Sequence, residues 1–91
     1  MLPVIWSPAA RADLKAILKY IAARSPTAAL ALHDALARSA AKLPQQPFLY
    51  RQGRLPNTRE LVVHKNYILV YEIHSTEIRV HSVLHARQQY P

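Results

Sequence analysis

Along the last third of the chain, apolar and polar side chains alternate in three short runs: Arg59–His64, Tyr67–Ile73 and Ile78–His85. Period-two alternation marks a strand, because successive side chains point to opposite faces of a sheet. In the first run Leu61 and Val63 share one face, and Glu60, Val62 and His64 the other. The second run is apolar on both faces: Tyr67, Leu69, Tyr71 and Ile73 alternate with Ile68 and Val70. Such a strand belongs in the middle of a sheet, covered on both sides. In the third run Ile78, Val80, Ser82 and Leu84 share a face, which predicts packing on helices. Arg79, His81, Val83 and His85 share the other, which predicts a wet, basic face. The connectors Lys65-Asn66 and His74–Glu77 are short enough to make neighbouring strands antiparallel.

The first half follows a different period. Pro3–Trp6 reads as a short strand, with Pro3 where an edge strand tolerates a missing N–H. Ser7-Pro8 is a helix start: a side-chain oxygen to cap free N–H groups, then a residue with its dihedral preset. The helix expected over 8–23 places Ala10, Leu14, Ile17 and Ile21 on one face, and Arg11, Lys15 and Lys19 four apart on another. Ser25-Pro26 repeats the device and opens a helix over 26–43, ended by Pro44. Its core stripe is Leu32, Leu36, Ser39 and Leu43, with Asp34 and Arg38 paired outside. Only Arg24 separates the two, so they should form an antiparallel hairpin. Thirteen of the fourteen alanines lie between Ala9 and Ala41. Small side chains let the helices approach closely but leave little bulk, so the pair needs the sheet to pack against.

Residues 44–58 carry Pro44, Pro47, Pro56, Arg51, Arg54 and the only glycine, Gly53. This predicts a long basic loop, tacked to the body by Phe48, Leu49 and Tyr50. The expected fold is α+β, one domain over residues 1–91. Its order is β-α-α-β-β-β, with the helix hairpin packed on one face of a small, mainly antiparallel sheet.

Charge sharpens this picture. Twelve Lys and Arg oppose five Asp and Glu, a net charge of +7, with five His in reserve. That surplus on 91 residues favours an anionic partner, nucleic acid or an acidic protein. The absence of cysteine excludes disulfides and thiolate zinc sites. No apolar run approaches the ~20 residues of a membrane helix. Leu2–Trp6 is too short for a secretion signal, so a cytoplasmic location is expected.

Candidate chemistry narrows quickly. His81 and His85 stand roughly 13 Å apart on a regular strand, too far to share a metal ion. Gly53 alone makes no phosphate-cradling loop. Ser82 falls on the face opposite His81 and His85, so a Ser–His nucleophile gains no support. RNA cleavage remains the serious enzymatic candidate. It needs a base for a ribose hydroxyl, a donor for the leaving oxygen and cations for the phosphate. Arg79, His81, His85, Arg87 and Tyr90 supply those types near one sheet exit. No helix shows an outward Arg, Asn or Gln cluster of the kind that reads DNA bases.

The order of elements, with Trp6-Ser7-Pro8-Ala9, Asp13-Leu14, Tyr20-Ile21-Ala22, Arg59-Glu60-Leu61 and His85-Ala86-Arg87-Gln88, resembles the RelE/ParE superfamily of bacterial toxin–antitoxin toxins, and within it the ParE branch. The likeness covers almost the whole chain. It implies one of two activities. RelE-type members cut messenger RNA on the ribosome; ParE-type members lack most of the cutting residues and poison DNA gyrase. Ile68 stands where cutting members tend to carry an Arg, so the resemblance favours a gyrase-directed toxin that is not an enzyme and needs no cofactor. It implies target contact through His85, Arg87, Gln88 and Tyr90, supported by Arg59, Arg79 and His81. A ribonuclease would instead draw on His81, His85, Arg87 and Tyr90, and the second alternative is an inactive basic binding module that only titrates an acidic partner. The resemblance also implies a cognate acidic antitoxin that folds on binding and forms a hetero-oligomer with the toxin. The Arg11, Lys15 and Lys19 ridge, the wet sheet face, the helix hairpin and the first strand's edge are the places expected to receive it.

Overall fold

The computed structural model describes residues 1–90. Its elements are β1 (Val4–Trp6), α1 (Pro8–Ala22), α2 (Pro26–Lys42), a 3-10 turn (Leu43–Gln45), β2 (Arg51–Gln52), β3 (Thr58–His64), β4 (Tyr67–Ile73) and β5 (Ile78–His85). Both helices begin as their Ser-Pro pairs dictate. The Ser7 hydroxyl accepts the Ala10 N–H at 3.0 Å and the Ser25 hydroxyl that of Ala28 at 3.2 Å. Each bond satisfies a donor that the first helical turn leaves free. α2 stops at Lys42, and Pro44 sits within the 3-10 turn that follows.

The five strands form one sheet in the order β1-β5-β4-β3-β2. β1 runs parallel to β5, and every other neighbouring pair is antiparallel. The doubly apolar strand β4 is central, as its pattern requires. The main core lies between the helices and one sheet face. Ala10, Leu32, Leu36, Ala40 and Leu43 meet Leu61, Leu69, Tyr71, Ile78, Val80 and Val83 there. Ser39 is only half-buried; Ala40 takes the inner position on α2, where a methyl group suits the close approach. Outside, Asp34 lies 3.5 Å from His33, and no ion pair joins it to Arg38 among the described residues.

Three expectations need correction. First, the long loop is not structureless. Arg51 and Gln52 form a short fourth antiparallel partner opposite Glu60 and Arg59. The hairpin closes where the Gly53 N–H meets the Thr58 carbonyl at 2.7 Å and Asn57 takes a positive φ of 64°. Gly53 is required there, because a Cβ would stand 2.2 Å from the Thr58 hydroxyl oxygen. Second, only Tyr50 of the expected apolar tack packs on the core. Phe48 and Leu49 are 68% and 63% exposed.

Third, β5 does not alternate evenly. Tyr71 pairs with Val80 and Val70 with Ser82, so His81 is an extra residue in the ladder. A bulge of this kind resets which side each later residue faces. Val83 therefore enters the helix-side core, and Leu84 turns to the opposite face beside Ile68 and Val70. The even-numbered face read from the sequence breaks at His81.

Candidate functional site

The bulge determines what the carboxy-terminal exit presents. His85 follows Val83 onto the helix side and lines a cleft with Asp13, Ile17, Tyr20, Tyr67 and Gln88. The Tyr67 ring lies between two imidazoles, 5.9 Å from His64 and 5.4 Å edge-on from His85. The two histidines are held alike. His64 Nδ1 accepts the Asn66 N–H at 3.1 Å, and His85 Nδ1 accepts the Arg87 N–H at 3.1 Å. In the neutral ring this leaves the proton on Nε2, so each imidazole offers a donor outward. The Ala86 N–H bonds the Asn66 carbonyl, which ties the exit to the β3–β4 turn, and the Gln88 N–H bonds the His85 carbonyl within the exit.

The opposite sheet face is wet only in part. The tail folds back so that Ala86 and Tyr90 cover Ile68, Val70 and Leu84. The Tyr90 hydroxyl is buried there with no hydrogen-bond partner among the described residues. Burial pushes its pKa up, the Glu60 carboxylate adds to the rise, and the Arg54 guanidinium opposes it. Glu60, only 3% exposed, is the charged group beneath this layer. Arg51 reaches it at 2.9 Å, and the Arg54 backbone N–H donates to its other oxygen at 3.2 Å. Arg54 also donates to the Tyr90 carbonyl at 3.1 Å, with its guanidinium 5.7 Å from that ring. A buried carboxylate with this many donors is satisfied, as its burial demands.

The remaining candidates lie apart from the exit. Arg79 is exposed and donates to Glu77 at 3.0 Å. His81 sits in the bulge, its Nδ1 3.1 Å from the Ser82 hydroxyl and its carbonyl bonded by Ser7. Arg59 points to the loop: it donates to the carbonyls of Phe48 at 3.2 Å and Tyr50 at 2.7 Å. Tyr71, fully buried, donates its hydroxyl to the Pro47 carbonyl. Burial pushes the Tyr71 phenol up to about 12, against the pull of Arg59. The structure thus brings His85 and Gln88 to one cleft. It sets Arg79 and His81, Arg59, and Tyr90 in three other places.

On the helix side, Arg11, Lys15 and Lys19 are all exposed, and none has a carboxylate within ion-pair distance among the described residues. Arg11 and Lys15 border a shallow hollow over Val4, Trp6, Leu14 and Leu18. Lys19 borders its continuation over Ala22, Ala29 and Leu30, almost wholly apolar, with Leu30 67% exposed. β1 is an edge strand beside this hollow. Sequence reasoning found the basic ridge but missed Leu30, Glu60, Tyr71 and the Phe48–Leu49 pair. The signal for Glu60 was present: a carboxylate on an alternating strand amid Arg51, Arg54 and Arg59.

Comparison with known proteins gives this arrangement a setting. The family described as ParE toxin of type II toxin-antitoxin system, parDE, matches residues 4–90. "Putative toxin Y4kP" of Sinorhizobium fredii is 34% identical over 87 residues, covering 94% of this chain and 90% of the relative. Among solved structures, one titled chromosomal ParDE TA system from P. aeruginosa superposes with a TM-score of 0.79 at 21% identity, over 93% of this chain and 96% of the other. YafQ from E. coli does so with a TM-score of 0.67 at 14% identity, over 94% of each chain. At those identities the two structures speak to the fold alone.

Proposed function

This chain belongs to the ParE family of type II toxins, and from that membership we propose that it arrests growth by docking on DNA gyrase, without breaking a bond itself. The single observation that supports a docking role over ribonuclease chemistry is the bulge at His81. It parts the cationic and imidazole groups that a scissile phosphate would need together. Arg79 is engaged by Glu77, and Arg59 is held on loop carbonyls, apart from the exit. The exit presents imidazole donors and amides beside an aromatic ring, a surface suited to recognition. His85, Arg87 and Gln88 are its proposed contacts. Tyr90 acts there by clamping the tail, and Arg79 and His81 extend the surface along β5.

Neutralisation by an acidic antitoxin, in the cytoplasm, completes the reading. Arg11, Lys15 and Lys19, without an ion-pair partner among the described residues, rim an apolar hollow, which suits an amphipathic segment with acidic flanks. The test is a supercoiling assay with purified gyrase, run beside a translating extract carrying a reporter transcript. The expected result is lost supercoiling with the transcript intact. Transcripts cut by the wild-type chain and spared by His85→Ala would replace this reading with a ribonuclease.

A further inference from the structure

We propose that Phe48 and Leu49 form a rigid apolar knob by which this toxin holds an acidic surface of its protein target; the inference rests on the reading that the target is a protein. Both side chains are about two-thirds exposed, and they are adjacent, at 68% and 63%. Single exposed apolar residues are ordinary, but this pair sits on a backbone that the fold works to fix. The Pro47 carbonyl is held by the buried Tyr71 hydroxyl. Arg59 holds the carbonyls of Phe48 and Tyr50, and the Leu49 N–H bonds the Gln46 carbonyl at 3.2 Å. Pro47 removes a further degree of freedom. A pliable loop would turn its larger apolar groups inward; here Tyr50 alone does so. Pre-ordering an exposed aromatic lowers the entropy lost when a partner covers it.

Beside the knob lies a concavity of about 440 Å³, lined by Phe48, Arg54, Leu55, Pro56, Arg59 and Ile73 among others, with no carboxylate among the described residues of its wall. Among the described residues the Arg59 guanidinium, 5.2 Å from the Phe48 ring, bonds only carbonyl oxygens, which leave its charge uncancelled. Arg51 and Arg54 share one carboxylate, Glu60. Three guanidinium groups against one acid leave a positive surplus around an aromatic anchor, the pairing enriched at interface hot spots. The complement is an apolar socket with an acidic side chain that enters the concavity. A lipid surface fits less well, because a two-residue knob beside a hollow offers no flat apolar ridge. The knob borders the β2–β3 edge of the sheet, and the basic ridge of α1 borders the β1 edge. The two contacts can therefore be altered separately.

The test compares the wild-type chain, the double variant Phe48→Ser/Leu49→Ser and the control Val62→Ser, exposed elsewhere on β3. Each is assayed for thermal unfolding, affinity for the cognate antitoxin, inhibition of gyrase holoenzyme and growth arrest. The expected result is inhibition and growth arrest weakened about tenfold or more in the double variant, with unfolding and antitoxin affinity unchanged. The control should match wild type. Unchanged potency overturns the inference, as does loss of antitoxin affinity in place of potency. Co-sedimentation of wild type but not the double variant with anionic phospholipid vesicles would also overturn it, assigning the knob to a membrane. If wild type spares gyrase yet arrests growth, the gyrase reading fails alone, and growth arrest by the double variant decides the knob. A wild-type chain that does neither overturns both.

Discussion

The Asp13 carboxylate accepts the backbone N–H of Val83 at 3.0 Å, across seventy residues of sequence. The reason lies in the unequal lengths of two strands. β1 covers β5 only from Ile78 to Val80, so beyond the bulge the outer edge of β5 has no strand beside it. α1 supplies the missing acceptor. The Ser7 hydroxyl does the complementary task one step earlier, donating to the His81 carbonyl while it caps the same helix. Together they close an edge that would otherwise offer free donors and acceptors to another chain.

Asp13→Ala should therefore leave the Val83 N–H half-buried and unsatisfied, at a cost of about 1–3 kcal/mol. Asp13→Asn keeps an acceptor oxygen and should recover most of it. Urea unfolding of the three proteins checks both. The loss should also appear as faster amide exchange at Val83, because the mutation frees that proton in particular.

Glu60 gives a second prediction. Its side chain is 2% exposed, while Arg51 and Arg54 are 56% and 40% exposed. Removing one member of a pair buried on both sides costs about 3–5 kcal/mol, because the orphan charge cannot reach water. Here the orphans are arginines that can turn outward, so Glu60→Ala should cost less, about 2 kcal/mol. The tail should loosen with it, since Arg54 links Glu60 to the Tyr90 carbonyl. Denaturant unfolding gives the first quantity, and protection of residues 86–90 against exchange gives the second.

How much of this was legible in sequence follows from which rules are local. The Ser-Pro starts, the helix hairpin and the central place of β4 depend on neighbours within a turn or a strand, and they hold. The bulge at His81 has no such signature: no glycine or proline marks it, and only the pairing with β4 exposes it. Every face assignment after Val80 inherited that shift, which is why His85 was placed on the wrong side and Leu84 on the helix side. The covered outer face was missed for a related reason. Tyr90 reaches Val70 and Leu84 through the fold, and nothing in Gln88-Gln89-Tyr90 says that the tail turns back. Phe48, Leu49 and Tyr50 are three apolar residues in a row; composition cannot tell which one turns inward.

Tyr71 makes a prediction in pH. Its phenol ionises near 10 when unfolded and near 12 in the fold, chiefly because burial disfavours the anion. Below pH 10 both states are protonated and the group contributes no slope. Between 10 and 12 the unfolded chain releases the proton first, so the folded state binds more protons and stability falls as pH rises. The slope approaches about 1.4 kcal/mol per pH unit. Tyr71→Phe should abolish this contribution while costing about 1 kcal/mol at neutral pH for the lost bond to Pro47. The check is the difference in urea midpoint between the two proteins, followed from neutral to strongly alkaline pH. It should narrow or reverse across that window.

The ridge on α1 gives the last prediction, and salt is its discriminating variable. Arg11, Lys15 and Lys19 are exposed cations with no carboxylate within ion-pair distance among the described residues, so they contribute little to the fold, and like charges four apart repel mildly. Lys15→Glu/Lys19→Glu should leave thermal stability unchanged or slightly raised. Against an acidic antitoxin, each reversal replaces attraction with repulsion at a solvent-exposed rim, worth about 1 kcal/mol at low ionic strength. The pair should weaken affinity about thirtyfold there, and much less at high salt, where screening removes the rim's contribution. Leu30→Ser provides the contrast. Leu30 stands in the apolar part of the same hollow, so its loss should weaken binding by a factor that salt does not change. If both variants respond to salt alike, or if neither changes antitoxin affinity, the segment lies elsewhere on the molecule. Titrations of purified antitoxin into each variant, at low and at high salt, separate these outcomes.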